Sequence, residues 1–309
     1  MTEQRIRIER AQNLWSSFTR KLEPLGNGMH LEAEPKLDLA DIGGLAGPKE
    51  EIATYACAAT SPRVYEEWGT QPPTGMLLMG QRGSGKTLLA RALSTQTSTS
   101  FLHIEVPRLV LDVIHAGKKA SEMVHGWAQI LDELPQLTVF FDELEFSQAH
   151  EIGTRRPDLP VGPIMDFLLE LIDRTIVTGE HLVVGATSHP DTLRPAFVAP
   201  GRFERIVEVA AKLPDDVVAA LQIHTRAAEK RAGRRLFGPI DWEAVVGTTR
   251  DASIGDWVRI LHAVLRRKAR LAAAGEDPGL VQAEDFKVEI TRFMQALRRL
   301  RLPEGGNYV

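Results

Sequence analysis

The chain has 309 residues, of which 43% are hydrophobic and 25% charged, and its 37 basic and 41 acidic side chains leave a net charge of −4. That balance suits a globular protein of about two domains, and its slight acidity argues against nucleic acid as a partner held by overall charge. The single cysteine, Cys57, excludes an intrachain disulfide, and no apolar run approaches the ~18 residues of a membrane span, so a cytoplasmic protein is expected.

Residues 1–36 open with Ala11, Leu14, Trp15, Phe18 and Leu22 at helical spacing, which predicts an amphipathic helix over about 5–22. The stretch from Pro24 to Pro35 reads as a linker. A Gly-Gly turn at Gly43-Gly44 and a helix over 47–67 follow, and Pro72-Pro73-Thr74-Gly75 then breaks the chain. Gly75-Met76-Leu77-Leu78-Met79 is an apolar run suited to a buried strand.

The next eight residues, Gly80-Gln81-Arg82-Gly83-Ser84-Gly85-Lys86-Thr87, read G-x-x-x-x-G-K-T. A triphosphate must be surrounded closely, and Gly80, Gly83 and Gly85 let the backbone approach without side chains in the way. Consecutive N–H groups at a helix start then face the phosphates. Lys86 brings a mobile positive charge and Thr87 a hydroxyl for Mg²⁺, while Ser84 and Leu88 complete the set expected to touch the nucleotide. A helix rich in helix formers follows from Thr87 to Leu93, so the loop has the strand–loop–helix setting that the motif requires.

A second strand is expected over Phe101–Val106, a polar loop at Ala116-Gly117-Lys118-Lys119, and a helix carrying Met123, Val124, Trp127, Ile130, Leu131 and Leu134 up to Pro135. Leu137-Thr138-Val139-Phe140-Phe141-Asp142-Glu143 is then an apolar strand ending in two carboxylates. Downstream of a phosphate loop this is where acids meet the metal, with Asp142 holding Mg²⁺ and Glu143 polarising the attacking water. Residues 147–162 read as a long polar loop, Met165 to Ile172 as a helix, His181–Thr187 as a fourth strand ending at Ser188, and Ile206–Val209 as a fifth. Alternation of strands and helices predicts an α/β fold, a phosphate-loop NTPase with a parallel five-stranded sheet and ligands at its carboxyl ends. From Pro214 only helical periodicity remains, near 215–232, 240–248, 254–273 and 283–300, with Ser253-Ile254-Gly255-Asp256 as a capping box. The expected organisation is a helix and linker (1–36), a nucleotide-binding domain (37–213), a small all-helical lid (214–300) and a flexible tail (301–309).

These stretches together resemble an AAA ATPase of the branch that includes valosin-containing protein and the proteasomal ATPases, over roughly residues 38–296. "ADIGGLAGPKEEI" looks like the family's opening segment, which implies that Asp41 and Gly43 border the adenine. "VVGATSHPDTLRPAFVAPGRFER" looks like its second region of homology, "LQIHTR" like the first lid helix, and "SIGDW" like the lid segment over the base. The resemblance therefore implies His224 and Gly255 as adenine neighbours, Ser188 as the polar sensor, and Arg202 as a finger reaching the neighbouring subunit's γ-phosphate. It implies ATP and Mg²⁺ as ligands, a homo-oligomer with a hexameric ring, and a protein substrate to be remodelled or unfolded.

Three positions depart from the family pattern. Ala199 stands at the first finger position, Ser188 where asparagine is usual, and Ile114-His115-Ala116-Gly117-Lys118 where a pore loop usually carries a bulky apolar residue before a glycine and an acid. They favour an alternative, a weakly hydrolysing, nucleotide-gated assembly scaffold or adaptor. Lys118 and Lys119 open a third reading, a nucleic-acid-handling relative, against which the acidic net charge argues. The end Gly306-Asn307-Tyr308-Val309 resembles the tail by which bacterial proteasome activators dock on the core proteasome, which implies that particle as a further partner.

Overall fold

The computed structural model describes residues 3–21, 26–116, 120–145, 161–249 and 252–301. Two further stretches of interest, most of the 147–162 loop and the tail with Tyr308 and Val309, lie outside the described residues, as do Gly117 and Lys118 of the pore-loop match and the adjoining Lys119. Among the described residues, no helix is long and apolar enough to cross a membrane.

The chain divides into two units: Met1–Ala40, Ala46–Gln81 and Gly85–Ala210 form the first, and Asp41–Leu45, Arg82–Ser84 and Ala211–Val309 form the second. The first unit begins with helix α1 (Glu3–Lys21) and strand β1 (Met29–Glu32), then α2 (Ala46–Thr60) and α3 (Pro62–Glu67). Strand β2 (Met76–Met79), α4 (Lys86–Gln96), β3 (Ser100–Glu105), α5 (Val106–Ala116) and α6 (Ala120–Glu133) follow. The unit closes with β4 (Leu137–Asp142), α7 (Val161–Val177), β5 (Leu182–Thr187) and β6 (Arg205–Glu208). The strands form one sheet in the order β1-β3-β4-β5-β2-β6. The five strands from β2 to β6 pair parallel.

The sheet has six strands rather than the five expected. Its extra edge strand, β1, pairs antiparallel with β3 through Met29↔Ile104 and Leu31↔Leu102. Four residues between prolines read as linker because a strand this short gives too little alternation to register. Its edge position, supplied by pairing with β3, makes it a strand. The helix expected over 47–67 is likewise two helices, α2 and α3, parted at Ser61-Pro62, because proline cannot donate into the preceding turn.

Side-chain alternation decides what faces the phosphate loop. Leu137, Val139 and Phe141 of β4 pack into the core built with α6 and α7. Strand geometry therefore turns Thr138, Phe140 and Asp142 to the opposite face. In β3, Leu102 and Ile104 enter the same core, which turns His103 to the face of Asp142. The β4 side chains from Leu137 to Phe141 are buried on both faces, as the centre of a parallel sheet requires. Helix α1 lays Ala11 and Phe18 into this core, with the Phe18 and Trp127 rings 6.4 Å apart.

One buried polar device fixes the turn from α6 into β4. His181 accepts a hydrogen bond at Nδ1 from the Leu137 amide (3.1 Å), and its Nε2 lies 3.1 Å from the Leu131 carbonyl, to which it donates. Burial holds its pKa below the ordinary histidine value. The neutral ring's contribution to stability is thus complete above about pH 6.5 and is lost as pH falls below that, because the unfolded chain takes up the proton first. Urea midpoints measured from pH 8 to pH 5.5 are expected to fall, and His181→Gln to fall less steeply. The remaining slope belongs to His224 and His262, whose pKa values burial also lowers. Parallel pH profiles for the variant and the parent would reject this assignment.

The second unit is helical, with α8 (Asp215–Ala232), α9 (Trp242–Val246), α10 (Ile254–Ala273) and α11 (Ala283–Arg301). Its own core centres on Trp257, Leu261, Val264 and Phe286. Ser253 and Asp256 form the anticipated capping box, with Ser253 Oγ accepting from the Asp256 amide and Asp256 from the Ser253 amide.

Candidate nucleotide site

The carboxyl ends of β2, β4 and β5 gather the chemistry of the first unit. β2 runs into Gly80, whose amide donates to the Thr187 carbonyl of β5 (3.2 Å). Helix α4 starts at Lys86 behind Gly85, which sits at φ 108° and offers no side-chain cap. The dipole of this helix favours an anion at its start.

Lys86 is buried, and its ammonium donates to the Gly80 carbonyl (2.6 Å), the Gln81 carbonyl (3.1 Å) and Ser188 Oγ (3.0 Å). Loop, lysine and Ser188 thus meet at one point, although Ser188 lies 102 residues downstream of Lys86. Thr87 Oγ1 lies 3.4 Å from Asp142 Oδ2. Glu143 follows at φ 58°, a left-handed backbone that costs a non-glycine residue roughly 1–2 kcal/mol. Its amide donates to Asp142 Oδ1 (3.0 Å), which turns the chain away from the strand direction. Leu88, in the first turn of α4, is exposed.

In the second unit, the loop tip Arg82–Ser84 clusters with the start of α10. The Gly255 amide donates to the Gly83 carbonyl (2.9 Å). Gly83 has φ 78°, and a Cβ there would stand 2.8 Å from Ser253 Oγ. Gly43 packs so closely on α8 that a Cβ would collide with the Ala220 backbone. Asp41 ends a short 3-10 turn just before it. His224 lies edge-on to His262, ring centroids 6.1 Å apart, and burial, His262 and Arg231 lower its pKa, so it is neutral near pH 7. Ser84 Oγ is buried without a hydrogen-bond partner among the described residues.

This donor set fits a magnesium nucleotide. A helix start without a side-chain cap and a buried ammonium suit anionic oxygens, and a hydroxyl beside a carboxylate suits a hard cation that keeps some of its water.

The sequence is similar to those of known proteins. Residues 76–211 match the model of the ATPase family associated with various cellular activities (AAA). The proteasome-activating nucleotidase of Methanothermobacter thermautotrophicus is 30% identical over 282 residues, 90% of this chain and 63% of the relative. That of Archaeoglobus fulgidus is 30% identical over 275 residues, 88% of this chain and 66% of the relative. The chain carries an AAA domain. A 26S proteasome regulatory subunit 4 homolog of Dictyostelium discoideum is 35% identical over 202 residues, 63% of this chain and 44% of the relative. The chain spans less than two thirds of the length of each of these relatives.

Within the AAA domain, two residues that the sequence pattern did not single out join the site, His103 and Glu145, and a third, Asp173, holds Arg202, which the structure does not bring to Lys86, Thr87 or Asp142. His103 Nε2 lies 3.2 Å from Asp142 Oδ2, so Asp142 is approached from both Thr87 and His103. Glu145 is buried, and its Oε1 accepts from the Ser188 amide (3.1 Å) and lies 3.3 Å from His189 Nδ1, which fixes the end of β5. Asp173 of α7 takes the Arg202 guanidinium in two parallel bonds, Nε to Oδ1 at 2.6 Å and Nη2 to Oδ2 at 2.8 Å, while Nη1 donates to the Ala196 carbonyl (2.6 Å). Asp173 accordingly raises the arginine's pKa further above its usual value. For His103 and Glu145 the signal was present: strand alternation for the first, and an acid three residues beyond Asp142 for the second. Asp173 carried none, since its partner lies 29 residues away.

The loop tip of the AAA domain gives a direct test. Gly83→Ala forces a left-handed backbone on a side chain and presses Cβ against Ser253 Oγ. A strain of about 1–2 kcal/mol is expected to weaken ATP binding roughly tenfold in a fluorescent-nucleotide titration. Unchanged affinity would show that this part of the loop does not close on the nucleotide.

Proposed function

We propose that the chain is an ATP-hydrolysing subunit of a ring of six copies that remodels or unfolds a protein substrate. The observation that carries this reading is the meeting of Lys86, Thr87, Asp142, Glu143 and Ser188 at the carboxyl ends of β2, β4 and β5. Lys86 and the loop amides hold the β- and γ-phosphates, with Ser188 oriented by the Lys86 ammonium. Thr87 and Asp142 hold Mg²⁺, which when bound neutralises charge on the phosphate oxygens. Glu143, turned out of the strand by its left-handed backbone, accepts the proton of the attacking water. Gly255, Gly43, Asp41 and His224 belong to the second unit and are assigned to the base and ribose, where a neutral His224 serves as a hydrogen-bonding group rather than a charge. Arg202 acts on the γ-phosphate of a neighbouring copy.

The named relatives include proteasome-activating nucleotidases, so a core proteasome joins the unidentified protein substrate as a proposed partner, with Tyr308 and Val309 as the docking tail. The experiment is steady-state ATP hydrolysis against protein concentration. Specific activity that rises with concentration, and rises again on adding an unfolded protein, supports a ring whose sites are completed between copies. Flat specific activity over a thousandfold range would reject the shared site.

A second reading, the nucleotide-gated scaffold with poor turnover, is favoured by a specific observation. Arg202 spends Nε, Nη1 and Nη2 inside its own chain, and Ala199 supplies no second arginine. Tight ATP binding with negligible hydrolysis at every concentration selects it.

A further inference from the structure

We propose that His103 is a positioning residue of the metal site, donating to Asp142 and so holding that carboxylate in the orientation that takes Mg²⁺ with the nucleotide. The inference rests on the reading of Thr87 and Asp142 as the residues that hold Mg²⁺, and adds to it a residue on the neighbouring strand.

The sheet dictates the meeting. β3 and β4 run parallel, with His103 beside Phe140 and Glu105 beside Asp142. Leu102 and Ile104 enter the core. His103 therefore stands on the opposite face, where Asp142 is the next β4 side chain after Phe140. Its Nε2 lies 3.2 Å from Asp142 Oδ2. Chemistry sets the direction of this bond. An ionised carboxylate only accepts, so the proton sits on Nε2 and the imidazole donates.

Three groups thus hold one carboxylate. Oδ1 accepts from the Glu143 amide at 3.0 Å, and Oδ2 lies 3.2 Å from His103 Nε2 and 3.4 Å from Thr87 Oγ1. The Thr87 contact is long for an O–H···O bond, so His103 is the stronger donor to Oδ2. The terminal torsion of an aspartate is broad and soft, and hydrogen bonds at its oxygens are what fix it.

The imidazole is itself held by rings on its own strand and on both neighbours. Its centroid lies 6.1 Å from Phe101, 5.4 Å from Phe140 and 6.5 Å from His30, the residue it pairs with on β1. The His103 and Asp142 side chains are 24% and 21% exposed, so water competes poorly for the bond between them. A carboxylate oriented in advance loses less freedom when the cation arrives. Mg²⁺ demands near-ideal octahedral geometry and so rewards that placement.

The rival role for His103 is packing alone, and two substitutions separate them. His103→Phe keeps a ring among Phe101 and Phe140 and removes the donor. His103→Gln removes the ring and keeps an N–H donor at about the reach of Nε2. His103→Leu lacks both and serves as a second donor-free chain.

The test uses the full chain and a fluorescent ATP analogue, titrated in excess EDTA and across a Mg²⁺ series, with thermal melting of each variant free of ligands. For His103→Phe and His103→Leu the Mg²⁺ midpoint for tight nucleotide binding is expected to rise roughly tenfold or more, the usual cost of losing a partner of a metal ligand. Their affinity in EDTA is expected to match the parent's. His103→Gln is expected to lie closer to the parent than to either. Donor-free chains with the parent's Mg²⁺ midpoint would overturn the proposal. So would a His103→Gln midpoint shifted as far as theirs, which would assign the effect to the ring, or an equal loss of affinity in EDTA, which would mean general damage to the loop. A parent protein that binds the analogue equally well with and without Mg²⁺ rejects the metal reading of Thr87 and Asp142, and the positioning role with it.

Discussion

Glu143→Gln is expected to leave ATP binding intact and to lower turnover by roughly 10²–10⁴, the range a positioned general base supplies. The amide fills the same volume and tolerates the same backbone, but it cannot accept the proton of the attacking water. The substitution leaves Lys86, Thr87 and Asp142 in place, and the hydrogen bond to Asp142 Oδ1 comes from the backbone amide, not the side chain being replaced. Affinity is read by nucleotide titration and turnover by phosphate release. Undiminished turnover would remove Glu143 from the mechanism and move attention to Glu145, the other acid at this strand end. Joint loss of affinity and turnover would mean that Glu143 holds the strand end together and does not act on water. Glu143→Gly separates the two roles, because glycine relieves the φ of 58° while deleting the carboxylate.

Arg202→Ala is expected to lower turnover by roughly 10³ or more, the value of an arginine supplied in trans to a transferring phosphoryl group, with little change in ATP affinity for a single chain. The decisive measurement is complementation. Arg202→Ala and Glu143→Gln chains, each nearly inactive, regain activity when mixed, because some interfaces then pair an intact Glu143 with a neighbour's intact Arg202. Absence of recovery in demonstrably mixed assemblies would place Arg202 outside the shared site. The ion pair with Asp173 bears on this result. Arg202 is 21% exposed and Asp173 43%, so the pair is screened by solvent and contributes only about 1 kcal/mol. A γ-phosphate with its larger charge can compete for that guanidinium. Asp173→Ala, by the same reasoning, is expected to leave the fold standing while freeing the arginine.

The phosphate loop was legible because its chemistry is local. Eight consecutive residues carry the glycines, the ammonium and the hydroxyl, and the flanking apolar run and helix formers announce strand and helix. The acidic strand end was legible for the same reason, as was the capping box of α10, since Ser253 and Asp256 stand three residues apart. Composition and alternation also sufficed for an α/β class, because a chain that alternates apolar runs with amphipathic stretches has few ways to bury both.

What the tertiary structure alone decided lies at long range. Strand order cannot be read from any one strand, yet it brings Ser188 of β5 to Lys86 and His103 of β3 to Asp142 of β4. β1 became a strand by pairing at the sheet edge, where a partner's backbone compensates for weak local preference. Asp41–Leu45 cluster with the helical unit although they precede β2 by about 30 residues, because Gly43 lets that backbone lie directly on α8. The bidentate hold of Asp173 on Arg202 depends on α7 and the turn before β6 arriving side by side. Local sequence sets which chemical groups exist and which backbone each prefers; only the folded sheet sets which of them meet, because hydrogen bonds act over about 3 Å while their partners here lie tens of residues apart.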